Sequence, residues 1–218
     1  MVLAAGRGQR MQPLTDVLPK PLLEVGSSRL IDFPLQTLAQ AGINQVVINL
    51  AWLGAQIREY VGDGSRYGLS VSFSDEGASA LETGGGIFHA LPLLGDAPFW
   101  VLNADVYSEY PLRARTLSDG MLAHLVLVPN PAHHPGGDFT LSGDRVGLGS
   151  GPRYTYSGWA VLSPALFEGC TAGKFPLAPL LVAAIEQGWV SGELFEGYWM
   201  DVGTPKRLER LRQHRPKG

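Results

Sequence analysis

Short apolar runs, each closed by a turn signal and followed by a segment of helical spacing, constrain the fold of this chain most strongly. Residues 45–50 (QVVINL) and 99–103 (FWVLN) are nearly unbroken apolar runs, and residues 2–5 form a shorter one. Unbroken runs are typical of strands that are covered on both faces, as in a parallel sheet flanked by helices. Helical spacing follows near residues 53–61 and 87–94. The pattern predicts strands joined by helical crossovers.

The remaining elements divide the chain into two halves. Residues 69–73 are predicted to be another strand, and residues 33–41 a helix that begins after Asp32 as N-cap and ends at Gly42. The second half carries more hairpin signals. Its predicted elements are strands over 122–128 and 154–162, a hairpin within 138–147, a helix over 177–187 and a terminal helix opened by Thr204-Pro205.

These elements predict an α/β protein: a three-layer α/β/α sandwich around a mixed, mostly parallel sheet. We expect one domain over residues 1–218, with a nucleotide-type half at 1–105 and a second half at 106–218 that contains more antiparallel pairs. A length of 218 residues suits one such domain and allows a substantial core. The chain has no internal repeat that would indicate a solenoid domain.

Charge and cysteine content exclude several classes of protein. There are 17 Lys and Arg residues against 20 Asp and Glu residues, so the net charge is −3, and no nucleic-acid or membrane-surface partner is expected. The lone Cys170 excludes an internal disulfide and a thiolate zinc centre. No apolar run reaches the roughly 18 residues of a membrane span, and Gly6 interrupts the first run too early for a signal peptide. We expect a soluble, cytoplasmic protein.

The segment after the first apolar run carries the strongest chemical signal. Gly6 and Gly8 directly follow the predicted strand, where backbone N–H groups can turn toward an anion without obstruction by a Cβ atom. Arg10 offers a fork of donors for phosphate oxygens, and Lys20 lies between two prolines on a stiffened backbone. On composition alone, a glycine turn with ordinary surface cations remains an equal alternative.

Two familiar nucleotide-binding motifs do not match the chain. A dinucleotide fingerprint requires a third glycine where Met11 stands, and an acidic residue at the end of the second strand, where Asn49-Leu50 stands. A P-loop requires Gly-Lys followed by Ser or Thr, but Gly173-Lys174 is followed by Phe175. No Gly-x-Ser-x-Gly elbow is present either. The glycine loop therefore belongs to neither class.

As a whole, the pattern resembles the sugar-phosphate nucleotidyltransferase family. The resemblance is carried by residues 3–15 with Pro19-Lys20-Pro21-Leu22, and supported by residues 81–87 (LETGGGI), 133–139 (HHPGGDF) and 199–204 (WMDVGT). It covers essentially the full length. Within the family, the chain is most similar to the uridylyltransferases that use N-acetylmuramate 1-phosphate. The resemblance implies a Rossmann-like nucleotidyltransferase fold and a peptidoglycan-recycling activity.

The resemblance also assigns roles to individual residues. It implies that Lys20 and Arg10 are catalytic and that Asp105 and Asp201 hold Mg²⁺. Without it, both aspartates would be taken for turn or helix-cap residues. The implied nucleotide-binding residues are Ala4, Ala5, Gly6, Arg7, Gly8, Glu76, Glu82, Thr83 and Gly84. The implied sugar-phosphate-binding residues are Asn103, Gly137 and Tyr156.

The expected reaction needs no catalytic base. A sugar 1-phosphate would attack the α-phosphorus of UTP and expel pyrophosphate, and its phosphate is mostly dianionic at neutral pH. The adjacent His133 and His134 are expected to form a mobile loop near the sugar rather than a zinc site. Alternatives are a nucleotidyltransferase for another sugar 1-phosphate such as glucose or mannose 1-phosphate, a noncatalytic nucleotide-binding module, and a glycosyltransferase. UTP and a sugar 1-phosphate are the expected partners of a monomer.

Overall fold

The computed structural model describes residues 1–215, and its largest feature is a nine-stranded mixed sheet. Two two-stranded sheets accompany it. The strands in chain order are β1 (Val2–Leu3), β2 (Glu24–Val25), β3 (Ser28–Arg29), β4 (Gln45–Leu50), β5 (Ser70–Asp75), β6 (Phe99–Asn103), β7 (Val106–Ser108), β8 (Ala123–Val128), β9 (Phe139–Ser142), β10 (Arg145–Gly147), β11 (Arg153–Leu162), β12 (Val190–Leu194) and β13 (Trp199–Asp201). The α-helices are α1 (Asp32–Gln40), α2 (Gly54–Val61), α3 (Glu82–Leu94), α4 (Ala178–Glu186) and α5 (Pro205–His214). None of the helices described within residues 1–215 has the length and apolar character that a membrane crossing requires.

The large sheet confirms the predicted mixed, mostly parallel arrangement. Its strand order is β5-β4-β1-β6-β11-β8-β12-β10-β9. Strands β5, β4, β1 and β6 are parallel to one another. Strand β11 is antiparallel to both β6 and β8, and β10 is antiparallel to both β12 and β9. Seven of the nine strands therefore run in one direction, against β10 and β11.

Helices cover both faces of this sheet, as predicted for a three-layer sandwich. On one face, Leu35 of α1 and Ile57 of α2 belong to the same buried cluster as Val2 and Leu102 of the sheet. On the other face, Ile87 of α3 and Leu181 of α4 pack with a second cluster of strand residues. The sheet is thus buried on both sides, which explains why its central strands are almost entirely apolar.

A third, smaller core holds the end of the described chain against the sandwich. Strand β13 pairs antiparallel with β7, and α5 buries Leu208 and Leu211 against Met200 and Tyr107. Helix α5 begins as predicted: the Thr204 side chain accepts a hydrogen bond from the Arg207 backbone N–H at 3.3 Å. This core fixes the segment around Asp201 next to the loop that follows β6.

Two local predictions were wrong. Asp32 is not the N-cap of α1; its buried carboxylate instead accepts hydrogen bonds from the Arg29 N–H and from the hydroxyls of Tyr60 and Tyr67. Helix α3 begins at Glu82 rather than near residue 87, so the glycines at positions 84–86 lie inside the helix. Tertiary packing, which local propensity does not report, decides both cases.

The glycine triplet allows α3 to approach its neighbours closely. A Cβ atom on Gly84 would lie 2.6 Å from the Phe175 ring, and one on Gly85 would collide with the Gly173 carbonyl oxygen. The Gly85 N–H also donates to the Phe175 carbonyl at 3.0 Å. Gly84 and Gly85 therefore serve helix packing, because a side chain at either position would push α3 away from the segment around residue 174.

We expect Gly85→Ala to lower the free energy of unfolding by about 1–3 kcal/mol, because overpacking against backbone forces a shift of α3. This loss should exceed the gain of about 1 kcal/mol from the better helix propensity of alanine. Urea denaturation would measure it. Gly149→Ala is the matched control, since a Cβ there meets no atom within 4 Å. Equal stability of the two variants would contradict the packing role.

A partly buried polar cluster outside the sheet's apolar core ties the segment after β7 to β12. The Arg115 guanidinium donates to Glu193 Oε1 at 2.8 Å, Tyr110 also donates to that oxygen, and His124 Nε2 lies 3.2 Å from it. Burial, with help from Arg115, lowers the pKa of His124. Burial alone would raise the pKa of Glu193, but its hydrogen bonds and the nearby positive charges outweigh burial and lower it.

We expect the free energy of unfolding to fall as the pH drops from 7 to 5. The pKa of His124 in the folded state lies below its ordinary value of 6.5, so the unfolded chain binds more protons as the pH falls through that value. The lowered pKa of Glu193 acts in the same direction at more acidic pH, as the carboxylate becomes protonated. Thermal denaturation across this range should show a shallower decline for His124→Gln, whereas substitution of the exposed His89 should leave the decline unchanged.

Candidate active site

A pocket of about 550 Å³ lies at the carboxyl ends of the parallel strands. Strands β1, β4 and β6 all end at this edge, which is where open α/β sheets place their ligands. Segments far apart in the chain meet there. The lining residues are Leu3, Ala4, Ala5, Gly6, Arg7, Gly8, Gln9, Arg10, Met11, Lys20, Pro21, Asn49, Glu76, Ala80, Glu82, Thr83, Asn103, Ala104, Asp105 and Gly203.

The glycine loop is packed tightly against the segment that carries Lys20. Gly8 has a left-handed backbone (φ 67°), and a Cβ atom there would lie 3.1 Å from both the Lys20 Cβ and the Thr15 Cγ2. The buried Thr15 hydroxyl donates to the Gly8 carbonyl at 2.9 Å. Glycine is therefore required at this position for both its backbone conformation and its lack of a side chain. The contact fixes the loop relative to the lysine.

Lys20 and Asp105 form an ion pair at the floor of the pocket. The Lys20 ammonium donates to Asp105 Oδ2, although the two residues are 85 positions apart in the chain. Lys20 is 8% exposed, and the Asp105 side chain is about one-third exposed. Because an ammonium group is strongly hydrated, its burial requires a compensating anion. Asp105 supplies that anion.

A chain of buried hydrogen bonds connects the start of the glycine loop to the start of α3. The Ala4 N–H donates to Asn49 Oδ1 at 2.7 Å, and the Asn49 amide donates to Glu76 Oε1 at 2.6 Å. The other Glu76 oxygen accepts from the Leu81 N–H at 2.6 Å. Both carboxylate oxygens of Glu76 are thus engaged by the protein itself, so this residue shapes the pocket wall while it lines it.

The first residues of α3 project into the pocket. Glu82 adopts a left-handed backbone (φ 61°), which is uncommon for a residue with a side chain and often marks a functional site. Glu82 and Thr83 are exposed and line the pocket, whereas Gly84 is buried against Phe175 and does not. Of these three predicted nucleotide-binding residues, Glu82 and Thr83 therefore form part of the pocket wall, whereas Gly84 serves helix packing.

The two arginines of the glycine loop have different environments. The Arg7 guanidinium stacks on the Trp52 ring, 3.6 Å from its centroid, with Asp16 Oδ1 at 4.0 Å. Arg10 is exposed, and within residues 1–215 no carboxylate pairs with it. Its Nη2 lies 3.0 Å from the point where a Gly203 Cβ would stand. Arg10 is thus a cation directed at the pocket and available to an anionic ligand.

Asp201 lies beside Asp105 through the small β7/β13 sheet. The Val202 N–H donates to the Asp105 carbonyl at 2.8 Å, and Asp201 is in register with Val106. Asp201 Oδ1 accepts from Arg207 at 2.7 Å and lies 3.1 Å from His133 Nε2. Asp201 does not itself line the pocket, although its neighbour Gly203 does.

The two aspartates fit a magnesium ion by the chemistry of their donors. Mg²⁺ is usually held by one or two carboxylates, with water and phosphate in its other positions. One oxygen of each carboxylate, Oδ1 of Asp105 and Oδ2 of Asp201, makes no hydrogen bond within residues 1–215. No group of three or more His, Cys, Asp or Glu side chains that could hold a metal ion occurs in that part of the chain.

Of the three predicted sugar-phosphate-binding residues, one lines the pocket and two do not. Asn103 lines the pocket and packs against Gly158, where β11 carries a bulge. Gly137 lies outside the lining, in a loop that Asn130 ties to β11 through a hydrogen bond to the Arg153 carbonyl at 2.9 Å. Tyr156 also lies outside the lining, and burial raises the pKa of its phenol.

Most of the predicted site residues line one pocket. The predicted residues that line it are Ala4, Ala5, Gly6, Arg7, Gly8, Arg10, Lys20, Glu76, Glu82, Thr83, Asn103 and Asp105. Four predicted residues do not line it: Gly84, Gly137, Tyr156 and Asp201. His133 lies in the loop predicted near the sugar and reaches Asp201.

Two residues were not predicted from the sequence: Asn49, which lines the pocket, and Arg207, which donates to Asp201. Asn49 was noted only because it replaces the acid of a dinucleotide fingerprint, but its amide organises the glycine loop. A polar residue inside an otherwise apolar buried strand was the available signal. Arg207 lies in the first turn of α5, where no acidic residue occurs and where a cation is disfavoured by the helix dipole. That unfavourable placement was a signal as well.

Comparison with known proteins gives a consistent result. A family model described as nucleotidyl transferase matches residues 1–118. The chain is 48% identical to an N-acetylmuramate alpha-1-phosphate uridylyltransferase of Neisseria meningitidis over 96% of this chain and 94% of that protein. It is 35% identical to a protein of the same name from Caulobacter vibrioides, over 94% and 92% of the two chains. The crystal structure of HddC from Yersinia pseudotuberculosis, complexed with GMP-PN, superimposes with a TM-score of 0.78 at 20% identity, over 98% of this chain and 97% of that one.

Proposed function

Because the chain belongs to the nucleotidyl transferase family, we propose that it transfers the uridylyl group of UTP to N-acetylmuramate 1-phosphate. The products are UDP-N-acetylmuramate and pyrophosphate, and the reaction fits a role in peptidoglycan recycling. The 48% identity to an enzyme named for this activity supports the choice of substrates. The observation that carries the proposal is the meeting of the glycine loop, Lys20 and Asp105 in one pocket.

The chemistry matches a pocket that holds cations but no base poised on a nucleophile. A phosphate oxygen of the sugar 1-phosphate forms a bond to the α-phosphorus of UTP, while the bond from that phosphorus to the bridging oxygen breaks and its electron pair leaves with pyrophosphate. The nucleophile is already dianionic at neutral pH, so no proton has to be removed. The barrier arises from repulsion between anions, and charge neutralisation and alignment lower it.

In this reaction, Lys20 stabilises negative charge at the α-phosphate. Its ammonium is positioned by the glycine loop, by burial and by Asp105, so it needs little reorganisation when charge develops. Arg10 and the amides of residues 6–8 hold the departing pyrophosphate. The exposure of Arg10 and its lack of a carboxylate partner within the described chain suit that role.

The proposal includes Mg²⁺ as cofactor, held by Asp105 and Asp201. When bound, the ion neutralises phosphate charge and helps to align the two reactants. Asp105 pairs with Lys20 and Asp201 pairs with Arg207, so both carboxylates are held in place by neighbouring cations. These pairings keep the two side chains ordered at the same edge of the sheet.

We assign the nucleotide to one half of the chain and the sugar phosphate to the other. Residues 1–105 bind the nucleotide, with Glu82 and Thr83 near the base, and residues 106–218 bind the sugar phosphate with the help of Asn103. Gly84, Gly137 and Tyr156 lie outside the pocket lining and act through packing. We assign the protein to the cytoplasm because its substrate is UTP, and we expect it to act as a monomer.

We expect rapid pyrophosphate release when the protein is mixed with UTP, Mg²⁺ and N-acetylmuramate 1-phosphate, measured by a coupled phosphate assay. Release should depend on both substrates, and glucose 1-phosphate, mannose 1-phosphate and other nucleoside triphosphates should react much more slowly. Faster reaction with one of those sugars would identify a different acceptor. Binding of UTP without pyrophosphate release from any tested sugar phosphate would favour a noncatalytic nucleotide-binding module.

A further inference from the structure

Arg207 carries a largely buried guanidinium whose hydrogen-bonding capacity the protein does not exhaust. Its side chain is 13% exposed. Nη1 donates to Asp201 Oδ1 at 2.7 Å and lies 2.5 Å from His133 Nε2. Nε is buried and has no hydrogen-bond partner within residues 1–215. A buried donor without a partner is costly, and Arg207, which does not itself line the pocket, packs against Gly203, which does, so this donor points to a ligand.

The other end of this guanidinium faces a second arginine across a pocket residue. A Cβ atom on Gly203 would collide with Arg207 Nη2 and would lie 3.0 Å from Arg10 Nη2. Gly203 lines the pocket. The two guanidinium groups are therefore close neighbours, and Asp201 is the carboxylate that contacts this pair in the part of the chain described. Two cations with one carboxylate leave a positive surplus, which an anion between them would neutralise.

We propose that Arg207 is a substrate-binding residue that donates to the phosphate group of the acceptor sugar 1-phosphate. The inference rests on the proposed function, because that reaction brings a second phosphate to this pocket beside the triphosphate. A guanidinium fork suits the oxygens of a phosphate monoester. Nε and Nη2 of Arg207 are the donors that Asp201 leaves available.

The position of Arg207 favours the acceptor phosphate over the triphosphate. Arg207 lies between Arg10, on the glycine loop, and His133, on the loop at residues 130–138. The glycine loop belongs to the nucleotide half, and the second loop belongs to the half assigned to the sugar phosphate. A group that contacts both segments lies where the two substrates meet. Its donors are therefore directed at the attacking phosphate.

Calorimetric titration in EDTA tests this assignment without turnover. We expect Arg207→Met to weaken binding of both N-acetylmuramate 1-phosphate and N-acetylglucosamine 1-phosphate by about 10- to 100-fold, the usual value of a charge-assisted contact. UTP affinity should change by less than about 3-fold. Arg210→Met is the matched control, because Arg210 is exposed on the same helix and loses the same charge. Arg207→Lys keeps the charge without the fork and should recover only part of the affinity.

Other outcomes overturn the assignment. Weakened UTP binding with unchanged sugar-phosphate binding would place Arg207 on the triphosphate. Loss confined to N-acetylmuramate 1-phosphate would place it on the carboxylate that this sugar carries and N-acetylglucosamine lacks. Unchanged anion binding with an altered Mg²⁺ affinity would show that Arg207 only orients Asp201. If Arg207→Met does not fold, Arg207→Lys decides between these outcomes with the same ligands.

Inorganic phosphate separates this inference from the proposed function. If the wild-type protein binds neither sugar phosphate, the proposed substrate is wrong, but phosphorus NMR with inorganic phosphate still tests Arg207. Weaker phosphate binding by Arg207→Met than by Arg210→Met supports the site, and equal binding overturns it. A wrong substrate assignment and a wrong role for Arg207 therefore give different results.

Discussion

Lys20→Met should lower kcat by about 100- to 1000-fold while KM for UTP rises only modestly. The ammonium is held in place before substrate binds, so its largest contribution comes when charge develops at the α-phosphate, and removal of one such preorganised group typically costs this much. Methionine keeps most of the length and apolar contact of the lysine stem beside Gly8 and Thr15. Steady-state pyrophosphate release at saturating UTP and Mg²⁺ would measure the loss.

Folding must be separated from chemistry in this variant. Loss of Lys20 leaves Asp105 without its ion-pair partner, but that carboxylate is about one-third exposed, so the cost to stability should be about 1 kcal/mol or less. Lys206→Met provides the matched control, because Lys206 is exposed and does not line the pocket. A Lys20→Met enzyme with the turnover of this control would remove Lys20 from the proposed role.

Asp105→Asn should cause a loss of similar size, about 100-fold or more in kcat, together with a shift of the Mg²⁺ titration to higher concentration. The substitution keeps the shape of the side chain and one carbonyl oxygen but removes the negative charge that a hard divalent cation prefers. It also removes the anion that pairs with Lys20, so the ammonium loses its fixed position. Activity should be measured across a range of Mg²⁺ concentrations.

The metal titration carries the decisive information here. Asp144→Asn is the control, since Asp144 lies in the exposed turn between β9 and β10 and loses the same charge. If Asp105→Asn loses turnover but keeps the wild-type Mg²⁺ dependence, Asp105 acts only by holding Lys20. Direct measurement of Mn²⁺ binding by electron paramagnetic resonance, as a magnesium substitute, would distinguish the two roles without turnover.

The sheet was predictable where strand identity depends on local burial alone. The runs at Gln45–Leu50 and Phe99–Asn103 match β4 and β6 residue for residue, because strands covered on both faces must be apolar throughout. Strand β12 was not predicted, since Val190–Leu194 contains Ser, Gly and Glu and gains its strand conformation from parallel pairing with β8. The short strands β7 and β13 depend on each other in the same way.

The candidate site was predictable as a set of segments but not as a set of contacts. Glycines after a strand and the aspartate after β6 indicate the carboxyl edge of a sheet. The pairing of Lys20 with Asp105 and the placement of His133 and Arg207 around Asp201 depend on the fold. The earlier start of α3 was not predicted for the same reason, because the close approach of Gly84 to Phe175 and of Gly85 to Gly173 is a tertiary contact.

Strand β11 makes the two halves of the chain mechanically inseparable. Its ten residues form ladders with β6 on one side and with β8 and β9 on the other. Clamshell opening about a hinge would have to break these ladders, so substrates cannot enter by rotation of one half away from the other. Access to the pocket therefore does not depend on separation of the two halves.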